Sequence, residues 1–148
     1  MDVKQLLTEY LESAKLMQLA TSSVNKSWVC SVWFATDNEL NIYWFSSTIR
    51  RHSDEAMLND SVAGAIALPQ SPDDAPRGVQ FEGKAHKLSE PSDVERAKSL
   101  FVGWIFSLEK INDLITNRAH CFYIIKPTQY VLFDAANFPD SPQQIFNP

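Results

Sequence analysis

The run Asn41-Ile42-Tyr43-Trp44-Phe45-Ser46-Ser47-Thr48-Ile49-Arg50-Arg51-His52-Ser53 carries the reading of the whole chain. Its first half belongs to a strand from Glu39 to Ser46, with Leu40, Ile42 and Trp44 on one face, because side chains alternate across a strand. Ser46 to Thr48 then leads into a short helix over Arg50–Asn59. Helix N-termini present unpaired N–H groups and a partial positive charge, so carboxylates are the favoured residues of a first turn. Two arginines and a histidine stand there instead. An anion removes the conflict: the hydroxyls of Ser46, Ser47 and Thr48, the free N–H groups and two guanidinium forks suit a phosphate. Two solvated arginines beside serine caps give the same sequence, and both readings stand at this point.

Upstream, Val3, Leu6, Leu7, Tyr10, Leu11 and Ala14 recur at helical spacing, which predicts an amphipathic helix over about 2–15. Asp2 and Gln5 have the spacing of a capping box. Leu16 to Ser22 reads as a short strand and Asn25-Lys26 as a turn. Ser27 to Thr36 alternates, with Trp28, Cys30, Val32 and Phe34 on one face and Val29, Ser31, Trp33 and Ala35 on the other. The Asp37-Asn38 turn is short enough for an antiparallel hairpin with the strand that follows. Trp28, Trp33, Tyr43, Trp44 and Phe45 crowd these two strands; they suit a flat ligand, a core or a dimer interface.

Downstream, Ser61 to Leu68 is an internal strand ended by Pro69, which cannot donate to a central ladder. Gln70–Arg77, rich in Pro and Asp, reads as a surface loop. Gly78 to Leu88 is a further strand, with Val79 and Phe81 opposite Gln80 and Glu82. Ser92 and Glu95 mark another capping box, and Val94, Ala97, Phe101, Trp104 and Leu108 form the stripe of one helix. Ala119 to Asp134 is a long last strand, bent near Pro127, and the tail 135–148 lacks periodicity. The expected fold is mainly β with inserted helices, a small antiparallel barrel or α+β sheet, in one domain spanning 1–148.

Composition narrows the function. The chain has 148 residues, a net charge of -5 and no basic run beyond Arg50-Arg51, which argues against nucleic acid as a partner. With four glycines and no Gly-rich phosphate loop, a Rossmann or P-loop site is excluded. His52, His86 and His120 lack metal-type spacing, so no metal is expected. Cys30 and Cys121 read as buried thiols. Asp54-Glu55 and Asp73-Asp74 read as solvated pairs, and no nucleophile-elbow motif or catalytic residue emerges. Without a signal peptide or a span of about 20 apolar residues, the expectation is a cytoplasmic protein with no membrane partner.

The opening run, with Asn59-Asp60-Ser61-Val62-Ala63 after it, resembles a superfamily pattern of strand, small polar turn, basic residues, short helix and Asn-Pro-x-Val-Ala. The pattern is that of the pyridoxamine 5'-phosphate oxidase-like split β-barrels. Leu19-Ala20-Thr21-Ser22 and Trp28–Ala35 are similar to their first hairpin, Gly78–Ala85 to their middle strand, and Tyr123–Phe133 to their last long strand. The likeness runs from Leu16 to Asp134 and is nearest to a small bacterial branch of YhbP-like proteins. It implies a six-stranded antiparallel split barrel that forms a homodimer with FMN at the subunit interface. It implies that Ser46, Ser47, Arg50 and Arg51 hold the FMN phosphate, with His52 at a position often occupied by Lys. Ser31, Val32 and Trp33 would run along the isoalloxazine ring, and Gln80 would approach from the middle strand. Asp60 stands where relatives have Pro, and the tail lacks the Arg-x-His pattern of substrate binding in the true oxidases. What the resemblance implies is therefore an FMN-dependent oxidoreductase of unspecified substrate. A non-catalytic flavin-binding or redox-sensing module and a cofactor-free dimeric scaffold are the alternatives.

Overall fold

Alternation of apolar residues produces most of the strands, and the computed structural model, which describes residues 2–148, joins all seven into one sheet. In chain order the elements are α1 (Val3–Ser13), β1 (Leu16–Ser23), β2 (Lys26–Thr36), β3 (Ile42–Ser47), α2 (Arg51–Leu58), β4 (Ser61–Ala67), β5 (Arg77–Lys87), α3 (Pro91–Phe101), α4 (Leu108–Arg118), β6 (His120–Asp134) and β7 (Gln143–Phe146). The sheet order is β3-β2-β1-β4-β5-β6-β7, and a further β3–β6 pairing closes the first six strands into an antiparallel barrel. Closure pairs β3 with β6, which an open sheet would leave as free edge, while β2 before Phe34 stays unpaired on its β3 side.

Two apolar clusters follow from strand alternation. Inside the barrel, Phe34, Ile42, Trp44, Tyr123, Ile125 and Tyr130 are fully buried, and α1 adds Leu6, Leu7 and Leu11. Outside β3 and β6, Tyr43, Phe45, Phe122 and Ile124 are covered by Ala97 and Phe101 of α3 and Ile111 of α4. Every residue of β3 is buried because this strand separates the two clusters.

Several elements differ from the sequence reading. The capping box at Asp2 is half made: Asp2 accepts from the Lys4 N–H at 3.0 Å, but Gln5 turns to Glu9. The single helix expected after Ser92 is two. The first starts at Pro91, with Glu90 rather than Ser92 at its N-cap. Past Phe101 the chain turns through Gly103 (φ 76°) before Ser107 caps α4. The tail is not wholly irregular, since β7 pairs with β6 from Tyr130↔Phe146 to Phe133↔Gln143. Cys30 and Cys121 are half-buried rather than fully enclosed.

The bend expected near Pro127 is present, with a physical cause on the partner strand. The β5–β6 register shifts between Glu82 and Gly83, and Gly83 lies opposite Pro127. A Cβ on Gly83 would stand 2.8 Å from the Pro127 Cα and 2.5 Å from the Lys126 carbonyl oxygen. Gly64 is equally constrained: a Cβ there would meet the Phe81 ring at 2.3 Å and the Gln18 carbonyl oxygen at 2.6 Å. Gly64→Ala is expected to cost about 2–3 kcal/mol, since a backbone oxygen cannot rotate away. Chemical denaturation checks this; a midpoint unchanged from the parent would refute it.

Candidate functional site

The β3–α2 junction is built by one turn. The Arg50 N–H donates to the Ser47 carbonyl at 3.2 Å and the Thr48 N–H to the Ala119 carbonyl at 3.0 Å, which ties the end of β3 to the start of β6. Arg50 is the N-cap of α2 and makes no side-chain cap. The first helical amides, those of Arg51, His52 and Ser53, have no backbone hydrogen-bond partner, as at any uncapped N-terminus.

Alternation along β3 divides the two serines. Ser46 points into the barrel, where its Oγ accepts from Trp44 Nε1 at 3.0 Å and lies 3.0 Å from Ser53 Oγ and 2.9 Å from His52 Nε2. His52 is thus held on the inner side. Burial, then the nearby Arg50 charge, lowers its pKa, so it is neutral at pH 7. Ser47 falls on the other face, with Phe45. It is only 5% exposed, and its Oγ has no hydrogen-bond partner. An unpaired buried hydroxyl costs about 1–3 kcal/mol.

The two arginines also differ. Arg51 Nε donates to Glu55 Oε1 at 2.7 Å, and its guanidinium lies 4.1 Å from the Trp28 ring centroid. Glu55 also accepts from Thr21 Oγ1 at 2.8 Å. These two hydrogen bonds hold the Glu55 carboxyl below its ordinary pKa. Asp54-Glu55 is accordingly not a solvated pair: Asp54 is exposed, but Glu55 is buried and anchors Arg51. Among the described residues Arg50, exposed beside Ser47, has neither an ion-pair nor a side-chain hydrogen-bond partner. An outward hydroxyl without a partner, an unengaged guanidinium and unpaired amides form a donor set that a phosphate fits.

The second part of the site is the outer face of β2. Its pairing with β3 ends at Phe34↔Trp44, while its pairing with β1 continues to Ser23↔Lys26. The Phe34 N–H donates to Lys15 on the β1 side. Alternation therefore turns the N–H and C=O groups of Ser31 and Trp33 toward the opened edge. Val32 is buried in the core, and its N–H and C=O face β1, where it pairs with Met17, so it offers neither side chain nor backbone to this edge. Trp33 is 43% exposed and meets Phe106 edge-on at 6.2 Å.

Gln80 is not beside the phosphate-type cluster within one chain. It belongs to a cross-strand row, Ser31–Gln18–Ala65–Gln80–Val131, that runs away from β3 around the sheet. The Ser31 hydroxyl donates to Gln18 at 3.0 Å. The small alanine side chains leave a hollow of about 400 Å³ here, lined by Gln18, Ala20, Ala65, Gln80 and Val131. Sequence reasoning missed Phe106, which lies in the connector hidden inside the supposed single helix, and His120, which reaches the site only through the β3–β6 closure. Among the described residues there is no cluster of three or more His, Cys, Asp or Glu able to hold a metal, and no helix is long and apolar enough to cross a membrane.

No family model matches the chain. A UPF0306 protein of Yersinia pestis is 26% identical over 93 residues, covering 62% of each chain; the match thus spans about three fifths of that relative's length. Among solved structures, a putative pyridoxamine 5'-phosphate oxidase from Listeria innocua superposes with a TM-score of 0.70 at 19% identity, covering 88% of this chain and 98% of its own. HutZ, the haem storage protein of Vibrio cholerae, gives 0.73 at 21% identity and 90% and 95% coverage. An FAD-binding protein from Mesorhizobium loti gives 0.65 at 16% identity and 87% and 90% coverage. The barrel closure, the split between β2 and β3 and these superpositions agree: the chain has the split-barrel fold of the pyridoxamine 5'-phosphate oxidase-like proteins, and in sequence it is similar to the small UPF0306 group of bacterial proteins.

Proposed function

We propose that this chain binds FMN and serves as a flavin-dependent oxidoreductase. The observation that carries the reading is the donor set at the β3–α2 turn, where the buried Ser47 hydroxyl lacks a partner beside the unengaged Arg50. A phosphate monoester offers three acceptor oxygens and about -1.5 to -2 charge, enough to engage both groups and the free amides. From there the opened edge of β2 leads along Ser31 and Trp33, whose backbone groups and indole suit the polar edge and the face of a planar ring. FMN, when bound, supplies the redox chemistry; the chain supplies binding, orientation and exclusion of water.

The reading includes a homodimer. The exposed apolar residues Leu16, Val29, Trp33 and Phe133 lie on the outer sheet face, Val29 lining the hollow itself, and a second copy docked there would cover them. It would also bring a partner's Gln80 row toward the flavin edge, which one chain does not do.

Titration of the protein with FMN, read by flavin fluorescence, tests the proposal. Arg50→Ala should weaken binding at least about tenfold, because a hydrogen bond to a charged group is worth about 1.5–3 kcal/mol. Fold neighbours named for haem make haemin the control ligand. Tighter binding of haemin than of FMN, or FMN affinity indifferent to Arg50, overturns the reading. Multiple turnovers with NADH or NADPH separate an oxidoreductase from a flavin carrier, which would be reduced once and stop.

A further inference from the structure

The phosphate-facing histidine of this site is His120 and not His52: we infer that His120 is a further phosphate-binding residue, contributed by β6 from across the barrel closure. The inference rests on the flavin reading above and adds a residue to it. His52, directly after the Arg50-Arg51 pair, is the histidine that the sequence offers for this task. Its ring is turned inward and its Nε2 is engaged with Ser46 Oγ at 2.9 Å.

His120 is placed by β-sheet register. It is directly opposite Ser47 in the β3–β6 pairing. Residues directly opposite in an antiparallel pair point to the same face with Cβ atoms about 4.5–5.5 Å apart. Phe45 and Phe122, two pairs further along, stack at 4.4 Å on that outer face, and the His120 ring lies 5.1 Å from the Phe45 ring. His120 therefore stands next to the buried hydroxyl that lacks a partner, one turn from Arg50.

Its orientation is fixed by a second contact. Nδ1 lies 3.1 Å from the Arg118 carbonyl oxygen. A carbonyl only accepts, so Nδ1 carries a proton and donates it there. Nε2 is then the nitrogen left to the site, and among the described residues it has no hydrogen-bond partner. A histidine with one nitrogen tied to backbone and the other presented to a ligand is oriented before the ligand arrives. In the cationic form Nε2–H donates to a phosphate oxygen, while Ser47 Oγ and Arg50 reach the others. Ala119 holds the histidine in this place: it ends α4 in the left-handed conformation (φ 53°), and its carbonyl accepts from Thr48.

The experiment compares FMN with riboflavin, which has the ring and lacks the phosphate. Dissociation constants are measured for the parent, His120→Ala and His120→Gln. The His120 ring resonances are also followed by NMR as inorganic phosphate is added to the parent. The expected result is a fivefold or greater loss of FMN affinity in His120→Ala, riboflavin affinity unchanged, partial rescue by Gln, and a His120 shift that saturates with phosphate. Equal losses for FMN and riboflavin would make His120 a wall for the ring and overturn the inference. So would FMN affinity unchanged in His120→Ala while Arg50→Ala weakens it, although the flavin reading would then survive. A parent that binds neither flavin, with His120 silent to phosphate, removes both.

Discussion

Trp44→Ala should lower stability by about 3–5 kcal/mol, the range for removing a large aromatic from a core. For a chain of this size that is a fall in melting temperature of about 6–20 °C. Trp44 is wholly buried, stacks on Tyr123 at 4.5 Å between rings inclined by 7°, and donates its indole N–H to Ser46. Alanine leaves a cavity between β3 and β6, the pairing that closes the barrel, and removes a donor from the Ser46–Ser53–His52 group. Trp44→Phe should recover most of the packing but not the hydrogen bond, so it should fall between the two. Calorimetry on the three proteins orders them; a phenylalanine variant as weak as alanine would show that the indole N–H outweighs packing.

Asp134→Ala is the second large expected loss, about 3 kcal/mol or more, since several hydrogen bonds to one buried carboxylate go together. The side chain is 1% exposed and accepts from the Tyr10 hydroxyl, the Ala136 and Asn137 amides at 3.1 and 2.9 Å, and Asn137 Nδ2 at 2.8 Å. Burial alone would raise its pKa; the hydrogen bonds from Tyr10 and Asn137 outweigh it and hold the carboxyl below its ordinary value of 3.8. A depressed carboxyl stabilises the fold fully above that ordinary value and ceases to do so as pH falls through the folded one. The parent should therefore lose stability below about pH 4, and Asp134→Asn should flatten that acid limb while being weaker at neutral pH. Urea midpoints across pH 2.5–7 would show it, about half a unit per step. An acid limb unchanged in the asparagine variant would assign it to other carboxylates.

Much of the barrel was legible because strand alternation is written directly in the residues. Phe34, Ile42 and Trp44 fall on the buried face that their parity requires. The Pro127 bend was legible for a different reason: proline cannot donate within a ladder. The split helix was not, because Phe101, Trp104 and Leu108 keep helical spacing across a turn that Gly103 alone marks. The β7 strand was hidden for want of alternation, as Gln143 to Phe146 are held chiefly by pairing with β6.

The candidate site was legible in part, and the limit is again physical. Local sequence brings Ser47 and Arg50 together, since one turn joins them. It does not tell that Ser46 and His52 turn inward, that Glu55 occupies Arg51, or that Gln80 follows the sheet away from the turn. Those placements depend on strand parity counted through the closed barrel. His120 is the extreme case: it is 73 residues from Ser47 in sequence and opposite it in register.

That same closure has a consequence for synthesis. Strand β3 has β2 beside it early, but its other neighbour, β6, is the last strand of the barrel to be made. Until residues 120–126 have left the ribosome, a nascent chain carries Trp44 on an unzipped edge, and contacts this distant in sequence form slowly. Closure of this barrel should accordingly be a late event that waits for β6 to emerge.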